Sequence, residues 1–469
     1  MNKCILEGVF PSIWKQANIS PVHKSGSRQH VEEYRPISIL STLSKLFERL
    51  VYNEIYPVLH NIIIDEQHGF VQGRSTTTNL LIFANNLFQN MDNRLQTDAV
   101  YTDFRKASDK VDHELLLNKI AFNGIRGNLL RWFSSYVTNR SQRVVINGFH
   151  SNTIHVTSGV PQGSILGPLL FILFINDIKT CFKYSKFLLY ADDLKTYRII
   201  RTASDCLLFQ EDLIRFSDYC LRNKLQLNIK KCNIVNFTKN KNVFNYPYLL
   251  SSQLLTKVDS LRDLGVQLDC KLHLDEHINK IVNKAYKMYG FVMRSSIDFV
   301  HPSTYIYLYK TLIRSQLEYA VAIWNPYYAK YKDIIEKVQR KFLRAVHYRC
   351  AGSRLPYSEL MQLYNLPSLE SRRTLLSAMT LYNICHGRYN CTELTRLLSY
   401  EVPRTAQLRA VRRRRLFAAP GSNTNAGLRA PLRRMVDDYN TFFLGIDIFS
   451  SSHSKYKQEV LRILNNTNE

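Results

Sequence analysis

The feature that most restricts what this chain can fold into is a pair of adjacent carboxylates that follows one apolar run and precedes a second strand-like run. Phe187-Leu188-Leu189-Tyr190 precedes Ala191-Asp192-Asp193, and Leu194 to Ile199 follows it. Runs of that length, broken by a short polar interval, predict two strands joined in a tight hairpin with Asp192 and Asp193 at its tip. The pair then lies at the edge of a buried sheet, where adjacent carboxylates are costly unless a cation neutralises them. Taken alone, Asp-Asp reads more readily as a plain turn marker, its commonest use. A third carboxylate bears on the choice. Ala99-Val100-Tyr101-Thr102-Asp103-Phe104 reads as a strand ending in polar residues, and a neighbouring strand brings Asp103 beside Asp192. Three converging carboxylates make a site for hard divalent cations, with Mg²⁺ the default and Mn²⁺ the alternative. Two such ions, about 4 Å apart, activate an attacking hydroxyl and stabilise a departing pyrophosphate.

Charge narrows the partner. The 469 residues carry 63 Lys plus Arg against 38 Asp plus Glu, a formal charge of +25. A surplus of that size points to nucleic acid or an acidic membrane surface. The membrane is disfavoured. Ile165 to Ile175, the longest apolar run, is interrupted by Gly167-Pro168 and falls short of the roughly 20 residues needed to cross a bilayer. Met1-Asn2-Lys3-Cys4 opens no secretory signal, and the nine cysteines lack paired spacing. Free thiols in an intracellular, reducing setting are expected. Cys385, His386 and Cys391 lack a fourth ligand at zinc-site spacing and read as a chance cluster.

Hydrophobic periodicity organises the rest. Leu43, Leu46, Phe47, Leu50 and Val51 predict one face of a helix, and Leu80, Leu81, Ala84, Leu87 and Phe88 predict a second amphipathic helix. Arg143 to Ile146 and Thr153 to Val156 read as strands, with Asn147-Gly148 as a turn between them. Residues 98–270 are therefore expected to form a mixed sheet with covering helices. Beyond 271 the pattern is helical, with stripes at Ile278, Ile281, Val282, Ala285, Met288, Tyr289, Val292 and at Tyr305, Ile306, Tyr309, Leu312, Ile313, Leu317, Ala320. Lys337, Arg340, Lys341 and Arg344 form a basic stripe opposite Ile334, Ile335, Val338 and Phe342, suited to a phosphate backbone.

Tyr190-Ala191-Asp192-Asp193 resembles the signature box of reverse transcriptases, in the form typical of non-LTR (LINE-type, arthropod jockey-like) retrotransposons. Further boxes follow the family's order. Trp14 to Pro36, with Pro21-Val22-His23-Lys24 and Tyr34-Arg35-Pro36-Ile37-Ser38, resembles the N-terminal fingers motif. Gln67-His68-Gly69-Phe70 with Gly73-Arg74-Ser75-Thr76 resembles a second fingers motif. Asp103-Phe104-Arg105-Lys106-Ala107 to Val111-Asp112-His113 resembles the first catalytic motif, and Ser158-Gly159-Val160-Pro161-Gln162-Gly163-Ser164 the template- and nucleotide-contacting loop. Leu227-Asn228 with Lys231-Cys232, then Leu264-Gly265-Val266, resemble the last palm motifs. Leu317-Glu318-Tyr319 with Trp324-Asn325-Pro326 resembles the thumb of the arthropod elements.

The resemblance implies an α+β, right-hand polymerase: fingers at 1–97, palm at 98–270, helical thumb at 271–350 and a helical basic C-terminal region at 351–469. It implies an RNA-directed DNA polymerase extending a DNA primer on an RNA template from dNTPs, with Asp103, Asp192 and Asp193 holding two Mg²⁺ ions. Tyr190 is expected to support the hairpin near the primer end. Lys24, Arg35 and Arg74 fall where the family contacts the triphosphate, Arg74 being framed by Gly73 and Ser75-Thr76. Gln162 and Gly163 are expected to face the nucleotide, since Pro161 stiffens the loop and Gly163 permits close approach. Lys231 is a candidate general acid for pyrophosphate, although Lys230 beside it reads as plain basic surface. Arg412 to Arg415 reads as an RNA contact, an import signal or neither.

Two departures qualify the match. The residue five after the first catalytic aspartate is usually a bulky aromatic that excludes a 2′-hydroxyl, and here it is Ser108. Relaxed sugar discrimination and a decaying element copy both account for it. The upstream endonuclease of such elements is also not recognisable, so a partial open reading frame or a truncated insertion is expected, its nick supplied in trans. The rival readings are a catalytically inactive nucleic-acid-binding remnant, and another polymerase such as an intron-encoded maturase or an RNA-copying enzyme.

Overall fold

The computed structural model describes residues 1–24, 26–401, 415–419 and 421–466. The expected Arg412 to Arg415 feature lies outside the described residues except for Arg415. The chain divides into two compact units. One comprises Met1–Val71, Asp98–Ile234 and Phe244–Lys257; the other Gln72–Thr97, Val235–Val243 and Val258–Glu469. These units do not follow four consecutive segments, because residues 72–97 group with the C-terminal helices.

The first unit is α+β. Strands Gln16–His23 and Tyr34–Ile39 pair antiparallel, with Val22 opposite Arg35, and Gln16–His23 pairs in parallel with Arg140–Ile146. The expected Asn147-Gly148 turn is present, both residues having positive φ (50° and 84°), and Ile154–Val156 returns against Arg140–Ile146. These strands join the first sheet, whereas the periodicity had placed them in the carboxylate-bearing one. A period of two identifies a strand but carries no label for its sheet. In the other sheet, Asp193–Ile200 lies between Lys186–Tyr190 and the strand that ends at Thr102.

Helix Leu166–Ile175 is apolar on every side and forms the centre of the core, with all but Pro168 buried. Its N-terminus is held by Glu48, a fully buried carboxylate that accepts the amides of Ile165 (2.8 Å) and Leu166 (3.2 Å). Charge at a helix N-terminus satisfies amides that have no partner within the helix. Helix Thr42–Leu59 turns a different face inward from the one expected. Phe47, Val51 and Ile55 are buried, while Leu43, Leu46 and Leu50 remain 48–56% exposed.

The second unit is mainly helical. Helix Thr76–Asp92, expected to be amphipathic, is buried on nearly all sides: Leu80, Leu81, Ile82, Phe83, Ala84, Leu87 and Phe88 are at most 2% exposed. The helical stripe beginning at Tyr305 contains a π-helical turn over Tyr309–Arg314, which delays the register. Tyr309, Ile313 and Leu317 stay buried through it. Among the described residues, no helix is long and apolar enough to cross a membrane.

His277, on helix Asp275–Ser295, is 2% exposed; its Nδ1 accepts the Gln267 amide at 3.2 Å, and its ring meets Trp324 edge-on at 5.3 Å. Burial, aided by the charges of Arg262 and Lys280, pushes its pKa down to about 4. The unfolded chain therefore binds a proton that the folded chain refuses. The stability this provides is intact above the ordinary histidine pKa and is lost as the pH falls toward 4, up to roughly 3 kcal/mol for this one group. Denaturant titrations between pH 7 and 4 are expected to show a smaller acid-linked loss in His277→Phe than in the parent chain.

Candidate active site

Strand ends bring the first two carboxylates together. The chain leaves its strand at Thr102 and is pinned by three backbone links: Asn228 N–H to Asp103 O (2.7 Å), Arg105 N–H to Gln226 O (2.8 Å), and a bridge between Phe104 and Leu227. The hairpin pairs Tyr190 with Asp193, so Ala191 and Asp192 form its tip. Burial raises the Asp192 carboxyl above its ordinary value, and the charge of Asp103 adds to the effect. Lys24 and Arg35 pull the other way. These four side chains thus share one electrostatic neighbourhood.

They also line one cavity, of about 570 Å³. Lys24 and Arg35 reach it from the Gln16–His23 and Tyr34–Ile39 hairpin. Arg35 stands opposite Val22, and the Lys24 amide continues the pairing to Glu33 O at 2.8 Å, so both cations leave the hairpin on one face. Asp193, Ser108, Gln162 and Gly163 complete the set of expected residues found there.

The loop from Ser158 to Ser164 is fastened on two sides. Gly159 N–H donates to Val111 O (2.7 Å), Val160 N–H to Ser108 O (2.8 Å), and Ser38 N–H to Gln162 O (2.7 Å). Gly163 has φ +107°, and a Cβ there would lie 2.7 Å from Ser38 O. The close approach expected of Gly163 is thus made to the protein's own strand. Gln162 Nε2 donates to Asp109 Oδ1 at 2.8 Å.

Asp109 is a cavity residue that sequence reasoning passed over. Burial raises its carboxyl pKa, opposed by the Gln162 hydrogen bond and the charges of Lys106 and Lys110. Its signal was its position inside the first catalytic motif, directly after Ser108. Glu32 also lines the cavity, as do Phe70 and Lys106, which the sequence named only as members of motifs.

Two expected residues are not among those that line the cavity. Arg74 belongs to the second unit, where its Nε donates to Asn390 O at 2.7 Å. Lys231 is exposed on the short helical turn Ile229–Lys231 and is not among the residues that line the cavity. In the second unit, the stripe Lys337, Arg340, Lys341 and Arg344 lines a separate cavity of about 920 Å³ with Tyr286 and Tyr289. Lys341 Nζ stands 5.4 and 5.6 Å from those two ring centroids.

The oxygen donors suit a divalent cation. Asp103 and Asp192 repel each other in a partly desolvated cavity, and neither forms an ion pair with a side chain among the described residues. A cation between them relieves that repulsion. No group of three or more His, Cys, Asp or Glu side chains is gathered for a metal among the described residues. Mg²⁺ commonly takes one or two carboxylates and completes its shell with water and substrate phosphates, so a short protein donor set fits it.

Comparison with known proteins accords with this chemistry. The chain is 29% identical over 355 residues to the probable RNA-directed DNA polymerase from transposon BS of Drosophila melanogaster, covering 72% of this chain and 39% of that protein. It is 28% identical over 364 residues to the RNA-directed DNA polymerase from mobile element jockey of the same species, covering 74% and 39%. The chain therefore spans about two fifths of the length of these curated relatives. Among solved structures, apo telomerase from Candida tropicalis is similar at a TM-score of 0.45 and 11% identity, over 83% of this chain and 64% of that one. The relatives bear out the resemblance to LINE-type elements. The family model described as reverse transcriptase (RNA-dependent DNA polymerase) matches residues 22–268, more than half of the 469, and the chain belongs to that family.

Proposed function

We propose that this chain is the RNA-directed DNA polymerase of a LINE-type retrotransposon, working inside the cell and extending a DNA primer on an RNA template. The observation that carries the reading is the coupling of Asp103 and Asp192 in one cavity faced by Lys24 and Arg35. Family membership implies dependence on a divalent metal, and we take the ions to be two Mg²⁺ held by Asp103 and Asp192, with Asp193 beside them. When bound, such ions lower the pKa of the attacking hydroxyl and neutralise charge on the phosphates.

The protein's own part is binding and orientation. Lys24 and Arg35 offer fixed positive charge to the triphosphate, which carries the growing negative charge as the primer 3′-hydroxyl displaces pyrophosphate at the α-phosphorus. Gln162, held by Asp109, and Ser108 border the space left for sugar and base. The Lys337–Arg344 stripe, with its tyrosines, offers cations to a nucleic-acid backbone.

Primer extension on poly(rA)–oligo(dT) with Mg²⁺ tests it. Asp192→Asn is expected to lower the rate on the order of 10³-fold while leaving the protein folded. Pure, folded parent protein that shows no metal-dependent extension would favour the inactive nucleic-acid-binding remnant instead. Ser108 generates a second expectation. Ser108→Phe is expected to reduce ribonucleotide incorporation relative to deoxynucleotide by roughly tenfold or more, read as the ratio of kcat/KM values. Equal ratios would refute a gating position for residue 108. Lys341→Gln is expected to weaken template–primer binding and to reduce the slope of log affinity against log salt by about one. An unchanged slope would remove the stripe from the binding surface.

A further inference from the structure

The tip of the carboxylate hairpin is poorly suited to its own turn. Ala191 has φ +57°, a left-handed conformation that glycine or asparagine adopts more readily than a residue with a plain Cβ. Something outside the turn must hold it. The segment from Glu66 to Gly69 lies along the strand Lys186–Tyr190 and does so. Leu189 N–H donates to Glu66 O at 2.9 Å, and His68 N–H donates to Leu189 O at 2.9 Å.

Where this backbone pairing stops, a side chain continues it. Gln67 is fully buried. Its Oε1 accepts the amides of Ala191 (2.9 Å) and Gly69 (2.8 Å), and its Nε2 donates to Ala191 O at 3.2 Å. Gly69 makes the approach sterically feasible, since a Cβ there would lie 2.1 Å from Ala191 N and 2.9 Å from its Cα. Ala191 O belongs to the peptide plane that joins Ala191 to Asp192. The N–H at the other end of that same plane is the backbone amide of Asp192 itself. Fixing one end of the plane fixes the direction of the other.

We infer that Gln67, accommodated by Gly69, is a positioning residue that sets the direction in which the Asp192 carboxylate enters the cavity. The inference rests on the polymerase reading of that cavity. It assigns Gln67 no contact with substrate; its effect passes through the 191–192 peptide.

The test uses the full chain with Gln67→Met, which keeps the length of the side chain and removes its hydrogen bonds. Two measurements are made: dTTP incorporation on poly(rA)–oligo(dT), and hydrogen exchange of the metal-free protein in peptides spanning residues 187–194. The expected result is a kcat about 10²-fold lower, as misplacement of a reacting group by about 1 Å produces. The KM for dTTP stays within about twofold, since binding is not what is lost. Exchange accelerates at the hairpin tip and not elsewhere. A kcat matching the parent, or unchanged exchange at Ala191, would overturn the inference. So would a loss of protection throughout the unit, which marks a merely structural role. Gln67→Glu, which keeps both acceptor bonds and loses the donor to Ala191 O, serves if the methionine variant does not fold; the same split between kcat and KM is expected. A parent protein inactive in this assay would sink the polymerase reading, and the exchange measurement alone would then judge the brace.

Discussion

Two carboxylates held near each other in a partly desolvated cavity repel, and the local structure must bear that repulsion before any ligand arrives. Asp103 and Asp192 occupy that position, and burial compounds their mutual charge by disfavouring the ionised form of Asp192. A flexible loop would let them separate. Here each follows the end of a strand: Asp103 is pinned through Asn228 and Gln226, and Asp192 sits on a tip whose neighbouring residue is bonded on both its amide and its carbonyl. The rigidity that opposes relaxation is also what makes the pair useful, because preorganised charge costs no rearrangement when a cationic or reacting group enters.

The cavity wall follows the same logic. Residues Ser108 to Val111 and Ser158 to Gln162 share backbone hydrogen bonds instead of facing water, and the outer side of the loop is bonded to Ser38. Ser158 Oγ donates to Asp109 O at 2.9 Å, and His113 Nε2 lies 2.8 Å from Gly159 O. Buried backbone groups need such partners, so the lacing both satisfies them and sets the cavity's shape. Gly159 is required by contact: a Cβ there would lie 2.7 Å from the Asp109 backbone.

Several residues that the family resemblance singled out serve packing within the second unit. Glu318 pairs with Arg372 through both carboxylate oxygens. Tyr319 OH donates to Leu264 O at 2.7 Å, Trp324 Nε1 donates to Tyr319 O at 2.7 Å, and Arg373 Nε reaches Asn325 Oδ1 at 3.1 Å. The two motifs that contain these residues are thus linked by hydrogen bonds, with Gly265 beneath the Tyr319 ring. A motif can recur because it stitches elements together, with no part in chemistry.

The residues themselves determined a good deal. Strand-like runs on either side of Ala191-Asp192-Asp193 specified a hairpin, Asn147-Gly148 specified a turn, and the ordered boxes specified the family, because local backbone preference and side-chain chemistry are written residue by residue. Tertiary structure decided what depends on distance between remote segments. It showed that Lys24 and Arg35 share a cavity with Asp192 while Lys231 is absent from its lining, and that Arg74 is bonded to Asn390. It turned Phe47 inward and left Leu46 exposed, although both are apolar and adjacent, because only packing chooses between two faces of similar hydrophobicity. It gave Asp109 a half-buried carboxyl bonded to Gln162, and it assigned to Gln67 the tip of the hairpin, 124 positions further along the chain. No periodicity in the sequence encodes a pairing of that separation; it exists only once the strand and the segment beside it have docked.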